Sequence, residues 1–185
     1  MINFDNAATT FPKPRSVRQA MEMAMLKYGG NAGRGGHQLT ERTSEQVFAA
    51  REEAAAFFGG KPENTIFCLN CTHALNLSIQ GIVQPNDHVI ISNLEHNAVL
   101  RPVAAMVRER GVQCSIAPVS VDDKETIAAF RARIRPNTRA IICTLASNVT
   151  GQILPYRELA ALCNEHDICM IADGAQACGT LPVQM

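Results

Sequence analysis

The sequence lacks the features that mark several classes of protein. It has no tryptophan, only 5% aromatic residues, and 17 basic against 17 acidic side chains. A chain with no basic surplus and few aromatic rings offers a nucleic acid little charge or stacking surface. No apolar run approaches the length of a bilayer span, and the first residues carry no basic and apolar leader. We therefore expect neither a membrane span nor a secretory signal.

The cysteines do not indicate a disulfide framework. There are 7, an odd number, and several lie in apolar segments, as Cys143, Cys163 and Cys169 do. Cysteine in such surroundings behaves as a small hydrophobic residue. We therefore expect a reduced, cytoplasmic protein. With 185 residues, 46% of them hydrophobic, the chain can bury one sizeable core.

What the sequence does contain is an alternation of strand and helix patterns. Short apolar segments predict strands at residues 65–69, 88–92, 112–119, 139–145 and 168–172. Amphipathic segments predict helices at about 16–28, 39–58, 74–83, 97–110, 124–134 and 156–166. Near-continuous apolar strands between such helices indicate an α/β fold, a mainly parallel sheet with helices on both faces. We predict a helical, glycine-rich arm at residues 1–60 and the α/β domain at residues 61–185.

Parallel sheets bind ligands at the carboxyl ends of their strands. The turns there contain Thr72, His96, Asn148 and Asp173. Thr72, at the start of a helix, either helps bind a phosphate or caps the helix. His96 either stacks on an aromatic ligand and exchanges protons, or belongs to a capping segment with a solvated ring.

The other two turns also allow two interpretations each. Asn148 either offers its amide to a ligand oxygen or serves as a turn residue. Asp173, at the end of an apolar strand, needs a partner when buried, and a pyridinium N–H would supply one. Its alternative role is to cap a helix.

Several short motifs occur together in one order along the chain, at residues 4–10, 31–37, 72–76, 95–97, 147–151 and 173–176. The set resembles the class V aminotransferase family of enzymes that use pyridoxal phosphate (PLP). Within that family it is most similar to the cysteine desulfurase and selenocysteine lyase branch. The resemblance covers the whole chain, and it implies the large domain of a PLP-dependent transferase.

The resemblance implies roles for the residues of these motifs. Thr72 and the backbone at His73 would bind the PLP phosphate. His96 would stack on the pyridine ring and act in catalysis by moving protons. Asp173 would pair with the pyridine nitrogen, and Gln176 would hydrogen-bond the phenolic oxygen.

Further residues would contact the cofactor or substrate. Asn148 would contact the cofactor or the substrate carboxylate, and Asn6, Ala7, Arg34 and His37 would border the substrate pocket. The implied reaction converts L-cysteine to L-alanine and leaves a persulfide on an enzyme cysteine. A homodimer and a sulfur-acceptor protein are the implied partners. Selenocysteine lyase or aminotransferase activity, or a non-catalytic fragment, are the alternatives.

The resemblance also implies functional residues that this sequence does not contain. The lysine that holds the cofactor covalently, the persulfide cysteine and the substrate-binding arginine would lie beyond Met185. The four lysines of the chain are Lys13, Lys27, Lys61 and Lys124, and none follows a strand beside the predicted site. We therefore expect an N-terminal portion that shapes part of a PLP pocket but is inactive alone.

Two other interpretations have weaker support. The cluster Gly33, Gly35 and Gly36 suggests a nicotinamide-binding loop, but its spacing does not match G-x-G-x-x-G and it follows a helix pattern. The pair Cys68 and Cys71 suggests a zinc or redox site, but no second pair stands at metal-ligand spacing. We predict no metal site.

Overall fold

The computed structural model describes residue 6 and residues 9–184. The chain forms two compact units. One unit comprises the described residues of Met1–Phe67 and Pro182–Met185, and the other is Cys68–Leu181. The domain boundary that the sequence predicts, between residues 60 and 61, stays a prediction.

The first unit contains two long helices, α1 (Arg15–Lys27) and α2 (Gln38–Phe57), and a short 3-10 helix at Pro62–Asn64. The His37 ring caps α2, because its Nδ1 accepts the N–H of Thr40 at 3.4 Å. Gly59 and Gly60 end the helix. Gly59 has φ 69°, a conformation that glycine adopts at little cost, and the N–H of Gly60 bonds the carbonyl of Ala55.

The second unit is an α/β sheet. Its helices are α3 (Cys71–Ile82), α4 (Asn97–Arg110), α5 (Asp123–Arg131) and α6 (Tyr156–Glu165). Its strands are β1 (His88–Ser92), β2 (Gln113–Ala117), β3 (Thr138–Thr144) and β4 (Cys169–Asp173). The strands lie in the order β2-β1-β3-β4, and every neighbouring pair is parallel. The predicted parallel α/β fold is confirmed.

Two apolar clusters hold helices against the two faces of this sheet. On one face, Leu75 and Ile79 of α3 and Val103 of α4 pack against strand residues such as Ile142. On the other face, residues of α5 and α6 such as Phe130 and Leu159 pack against Ile90, Ile141 and Cys143. The covering of both faces explains why the strand segments are almost continuously apolar.

One predicted strand is wrong. Residues 65–69 form no strand, and Ile66, Phe67 and Leu69 are exposed. An apolar, β-branched segment becomes a strand only if it finds a hydrogen-bonding neighbour, and this one pairs with no strand among the described residues. The start of α3 therefore does not follow a strand, although Cys71 reaches Asp173 at the carboxyl edge of the sheet.

Nowhere in residues 9–184 is a helix long and apolar enough to cross a membrane. The glycines at positions 33, 35 and 36 lie between α1 and α2 and not after a strand, so the context of a dinucleotide-binding loop is missing. In the part of the chain that the structure describes, no three histidine, cysteine or acidic side chains group as metal ligands.

Candidate active site

Asp173 is the last residue of β4 and is only 4% exposed. Its Oδ1 accepts the N–H of Ala175 at 3.0 Å and the thiol of Cys71 at 3.4 Å. Its Oδ2 accepts no hydrogen bond from the described residues. The helix-capping alternative is wrong, since a turn and not a helix follows Asp173. The Oδ2 atom of this largely buried carboxylate is therefore available to a hydrogen-bond donor from outside the described residues.

The start of α3 reaches Asp173 through Cys71. Asn70 caps this helix, because its Oδ1 accepts the N–H of His73 at 2.9 Å. The capping role weighed for Thr72 is therefore wrong. The N–H groups of Cys71 and Thr72 and the Thr72 hydroxyl donate to no described residue. They remain available for an anion at the positive end of the helix.

Burial and the neighbouring carboxylate of Asp173 favour the protonated form of the thiols near the site. Burial raises the pKa of Cys71 to about 12, and the carboxylate of Asp173 adds to the rise. Burial and Asp173 also raise the pKa of Cys178. Thiols are nucleophilic as thiolates, so these two cysteines are poor nucleophiles near neutral pH. Sequence reasoning missed Asn70 and treated Cys71 only as half of a metal pair.

His96 lies in the turn between β1 and α4. It is exposed and caps α4, because its Nδ1 accepts the N–H of Ala98 at 3.1 Å. The capping interpretation is thus confirmed, and stacking on a ligand stays a prediction. Because Nδ1 is an acceptor, the proton of the neutral ring is placed on Nε2, which bonds no described residue.

Glu95, next to His96, is buried and was not among the predicted site residues. Its Oε1 accepts the Ser92 hydroxyl and the N–H of Thr144, the latter at 2.9 Å. Its Oε2 is buried without a hydrogen-bond partner. Burial raises the pKa of Glu95 to about 7, against the effect of its hydrogen bonds, and the nearby Asp173 raises it further.

The loops after β3 and β4 present the two amides. The Ser147 hydroxyl oxygen accepts the N–H groups of Val149 and Thr150, each at 3.3 Å, and this shapes the turn that exposes Asn148. Gln176 is half-buried in the turn after Asp173. Neither side-chain amide bonds a described residue, so both are free to contact a ligand.

The predicted substrate residues belong to the first unit. Asn6 is exposed, and its Oδ1 accepts the N–H of Phe11 at 2.8 Å. Arg34 is exposed, and the ring of His37 caps α2. Ala7 lies outside the described residues. That these residues border a substrate pocket stays a prediction.

Lys124 is the one lysine of the second unit, and it lies in the first turn of α5. This helix follows β2, which is separated from β4 by β1 and β3. Neighbouring strands are about 4.8 Å apart, so the end of β2 lies roughly 14 Å from Asp173. Lys124 is therefore poorly placed to hold a ring bound beside Asp173.

The family profile described as Aminotransferase class-V matches residues 2–185, nearly the whole chain. The chain belongs to the class V aminotransferase family. PLP is the cofactor of this family. The resemblance drawn from the motifs is thereby confirmed.

Curated relatives of this class V chain are named as cysteine desulfurases. A probable cysteine desulfurase of Halobacterium salinarum is 30% identical over 190 residues, which cover 100% of this chain and 46% of the relative. One of Vibrio cholerae is 29% identical over 181 residues, covering 95% of this chain and 45% of the relative. The chain spans less than half the length of these two relatives.

A solved structure of a cysteine desulfurase has a similar fold. The apo cysteine desulfurase of Thermococcus onnurineus is 26% identical and superposes with a TM-score of 0.87. The match covers 98% of this chain and 46% of that chain. The described sheet and its helices thus have the arrangement found in that enzyme.

Proposed function

We propose that this chain forms the phosphate- and ring-binding part of a PLP site in an enzyme that removes sulfur from L-cysteine. The observation that carries the proposal is Asp173, a buried carboxylate at the carboxyl end of β4 whose Oδ2 accepts no hydrogen bond from the described residues. A protonated ring nitrogen supplies the missing donor and a compensating charge.

The residues next to Asp173 fit the other end of the cofactor. Cys71 is bonded to Asp173, and the unused N–H groups of Cys71 and Thr72 lie in the first turn of α3. A phosphate bound there gains hydrogen bonds and the favourable field of a 12-residue helix. The N–H of His73 already bonds Asn70, so Cys71 and Thr72 are the better phosphate donors.

When bound, PLP takes up the electrons released at the substrate's alpha carbon. The chain's own residues support that chemistry. Asp173 would hold a proton on the ring nitrogen of the bound cofactor. The Nε2 atom of His96 can give or take a proton, because Nδ1 is fixed on Ala98. The amides of Asn148 and Gln176 can orient oxygen atoms of the cofactor or substrate.

The finer assignments follow from the family. The substrate L-cysteine is proposed because the curated relatives are named cysteine desulfurases. A homodimer and a sulfur-acceptor protein are proposed from the resemblance, and a cytoplasmic location is proposed from the cysteine pattern. Large apolar side chains exposed on α1 and α2, including Met25, Leu26 and Phe48, are compatible with a second copy covering them.

PLP binding tests the proposal directly. We expect the 185-residue chain to bind PLP saturably in equilibrium dialysis, and Asp173→Asn and Asp173→Ala to weaken binding by about tenfold or more, the value of a lost charge-assisted hydrogen bond. Asp123→Ala, an exposed aspartate in α5, is the matched control and should bind as wild type does.

Two results would count against these expectations. Equal PLP affinity for wild type and the Asp173 variants, with unchanged circular dichroism, would exclude Asp173 as the ring partner. A PLP adduct fixed by borohydride and mapped to one of the four lysines would show that a lysine of this chain reaches the cofactor, against our expectation from the sequence.

A further inference from the structure

The sheet has a point where the connections leave in opposite directions. From β1 the chain passes through α4 to β2 on one side, and from β3 it passes through α6 to β4 on the other side. The carboxyl ends of β1 and β3 therefore form a switch point, and open α/β sheets bind ligands in the space outside such strand ends, called the crevice below. Asp173 borders it, since it pairs with Thr144 across β3 and β4.

Glu95 bridges this crevice. The last backbone pair between β1 and β3 joins Ile91 and Ile142, after which β1 turns away. The N–H of Thr144 would then lack a strand partner, and the Oε1 atom of Glu95 accepts it at 2.9 Å. The same oxygen accepts the hydroxyl of Ser92, the last residue of β1. One carboxylate oxygen thus takes the place of a backbone acceptor of β1 and connects the ends of β1 and β3.

The second oxygen of Glu95 has no partner. Glu95 is only 9% exposed, and its Oε2 is buried without a hydrogen bond. A negative charge left unpaired in this position is costly, and it would stand next to a second carboxylate, Asp173. The buried thiol of Cys143 on β3 is a further titratable neighbour, because burial raises its pKa and Glu95 raises it further. A proton on Oε2 removes the negative charge of Glu95 and with it the repulsion by Asp173.

We propose that Glu95 is a positioning residue of this site: as a neutral carboxylic acid it holds the ends of β1 and β3 in place beside Asp173, which carries the negative charge of the crevice. The inference rests on the proposed function, because it assigns Asp173 to a cationic ring. It makes Glu95 a structural neighbour of the cofactor pocket and not a group that touches the substrate.

The first test needs no cofactor. A neutral folded Glu95 favours folding at low pH, and this contribution is lost as pH rises from about 4.5 through about 7. Between pH 5 and pH 8 the folding constant of wild type should therefore fall by about tenfold or more relative to that of Glu95→Gln, measured by urea unfolding. Glu158→Gln, an exposed glutamate in α6, is the control and should follow wild type. Parallel pH profiles for wild type and Glu95→Gln would overturn the inference.

The second test is PLP binding by the same chain. Glu95→Gln keeps a neutral group with an acceptor oxygen, so its PLP affinity should stay within about threefold of wild type, whereas Glu95→Ala should bind about tenfold more weakly or worse. A folded Glu95→Ala variant that binds PLP with wild-type affinity would contradict a positioning role. A Glu95→Gln variant that binds PLP as weakly as Glu95→Ala would contradict it too. If wild type binds no PLP, the proposed function fails, and the pH profile of unfolding still decides whether Glu95 is neutral.

Discussion

At the scale of single residues, the two ends of β1 carry buried titratable groups with opposite effects on stability. Glu95 follows the carboxyl end, and its neutral form favours folding at low pH. His88, the first residue of β1, is fully buried and bonds Thr138 at 2.8 Å and Ser115 at 2.9 Å. Burial lowers the pKa of His88, and the charge of Arg135 lowers it further.

The lowered pKa of His88 predicts a loss of stability in acid. The neutral His88 ring contributes to the free energy of unfolding above the unfolded-state pKa of about 6.5. This contribution is lost as pH falls through the lower pKa of the folded state. We expect His88→Gln to cost about 1–3 kcal/mol at pH 8, through weakened buried hydrogen bonds, and to show a smaller loss than wild type between pH 7 and pH 5. Urea unfolding at the two pH values measures both.

The control for this comparison is His166→Gln at the half-exposed end of α6, which should change stability by no more than about 0.5 kcal/mol. Equal pH slopes for wild type and His88→Gln would mean that the His88 ring is not held neutral. Since Glu95 acts in the opposite direction, only the difference between each variant and wild type isolates one group.

At the scale of elements, the start of α3 shows how much local pattern can decide. The sequence predicted a helix here, and a helix forms, but it begins at Cys71 and not at residue 74. Asparagine is a strong capping residue, so Asn70 was a readable signal. The bond from Cys71 to Asp173 was not readable, because the two residues are 102 positions apart in the chain.

The cap of α3 can be tested by substitution. Asn70→Ala removes the acceptor of the His73 N–H and should lower the free energy of unfolding by about 1 kcal/mol. Asn70→Ser keeps an acceptor oxygen and should recover most of the loss. Urea unfolding of the three proteins measures the effect, and an alanine variant as stable as wild type would show that the cap contributes little.

At the scale of the whole molecule, the apolar core lies almost entirely in the second unit. Both apolar clusters fall between Leu75 and Ile171. Among the described residues, Ala55 is the one buried apolar side chain before Leu75. Burial of apolar surface is the main favourable term in folding, so the second unit should carry most of the stability.

We therefore expect the segment Cys68–Leu181, expressed by itself, to unfold in urea with a cooperative transition like that of the whole chain. Far-UV and near-UV circular dichroism would follow the transition. A broad transition with no near-UV signal, together with binding of a hydrophobic dye, would indicate a loosely packed state and would show that residues before Cys68 are required for packing.

The sequence by itself determined the elements whose pattern is local. Apolar runs such as His88–Ser92 and the periodicity of Asn97–Arg110 predicted strand and helix with the bounds that the structure shows. The strand-end rule also placed His96, Asn148 and Asp173 at the carboxyl edge of the sheet, where Asp173 is the last residue of β4. These features follow from residues close in sequence, whose periodicity reflects burial on one or both faces.

Only the tertiary structure decided what depends on distant neighbours. Residues 65–69 have a strand pattern but no partner, so no strand forms. Cys71 bonds Asp173 and Glu95 bonds Thr144, and in each pair the partner lies far along the chain. The physical reason is the same in each case. Ladder pairing, burial and the electrostatic effect of a neighbouring carboxylate are properties of contacts, and a single sequence does not state which residues meet.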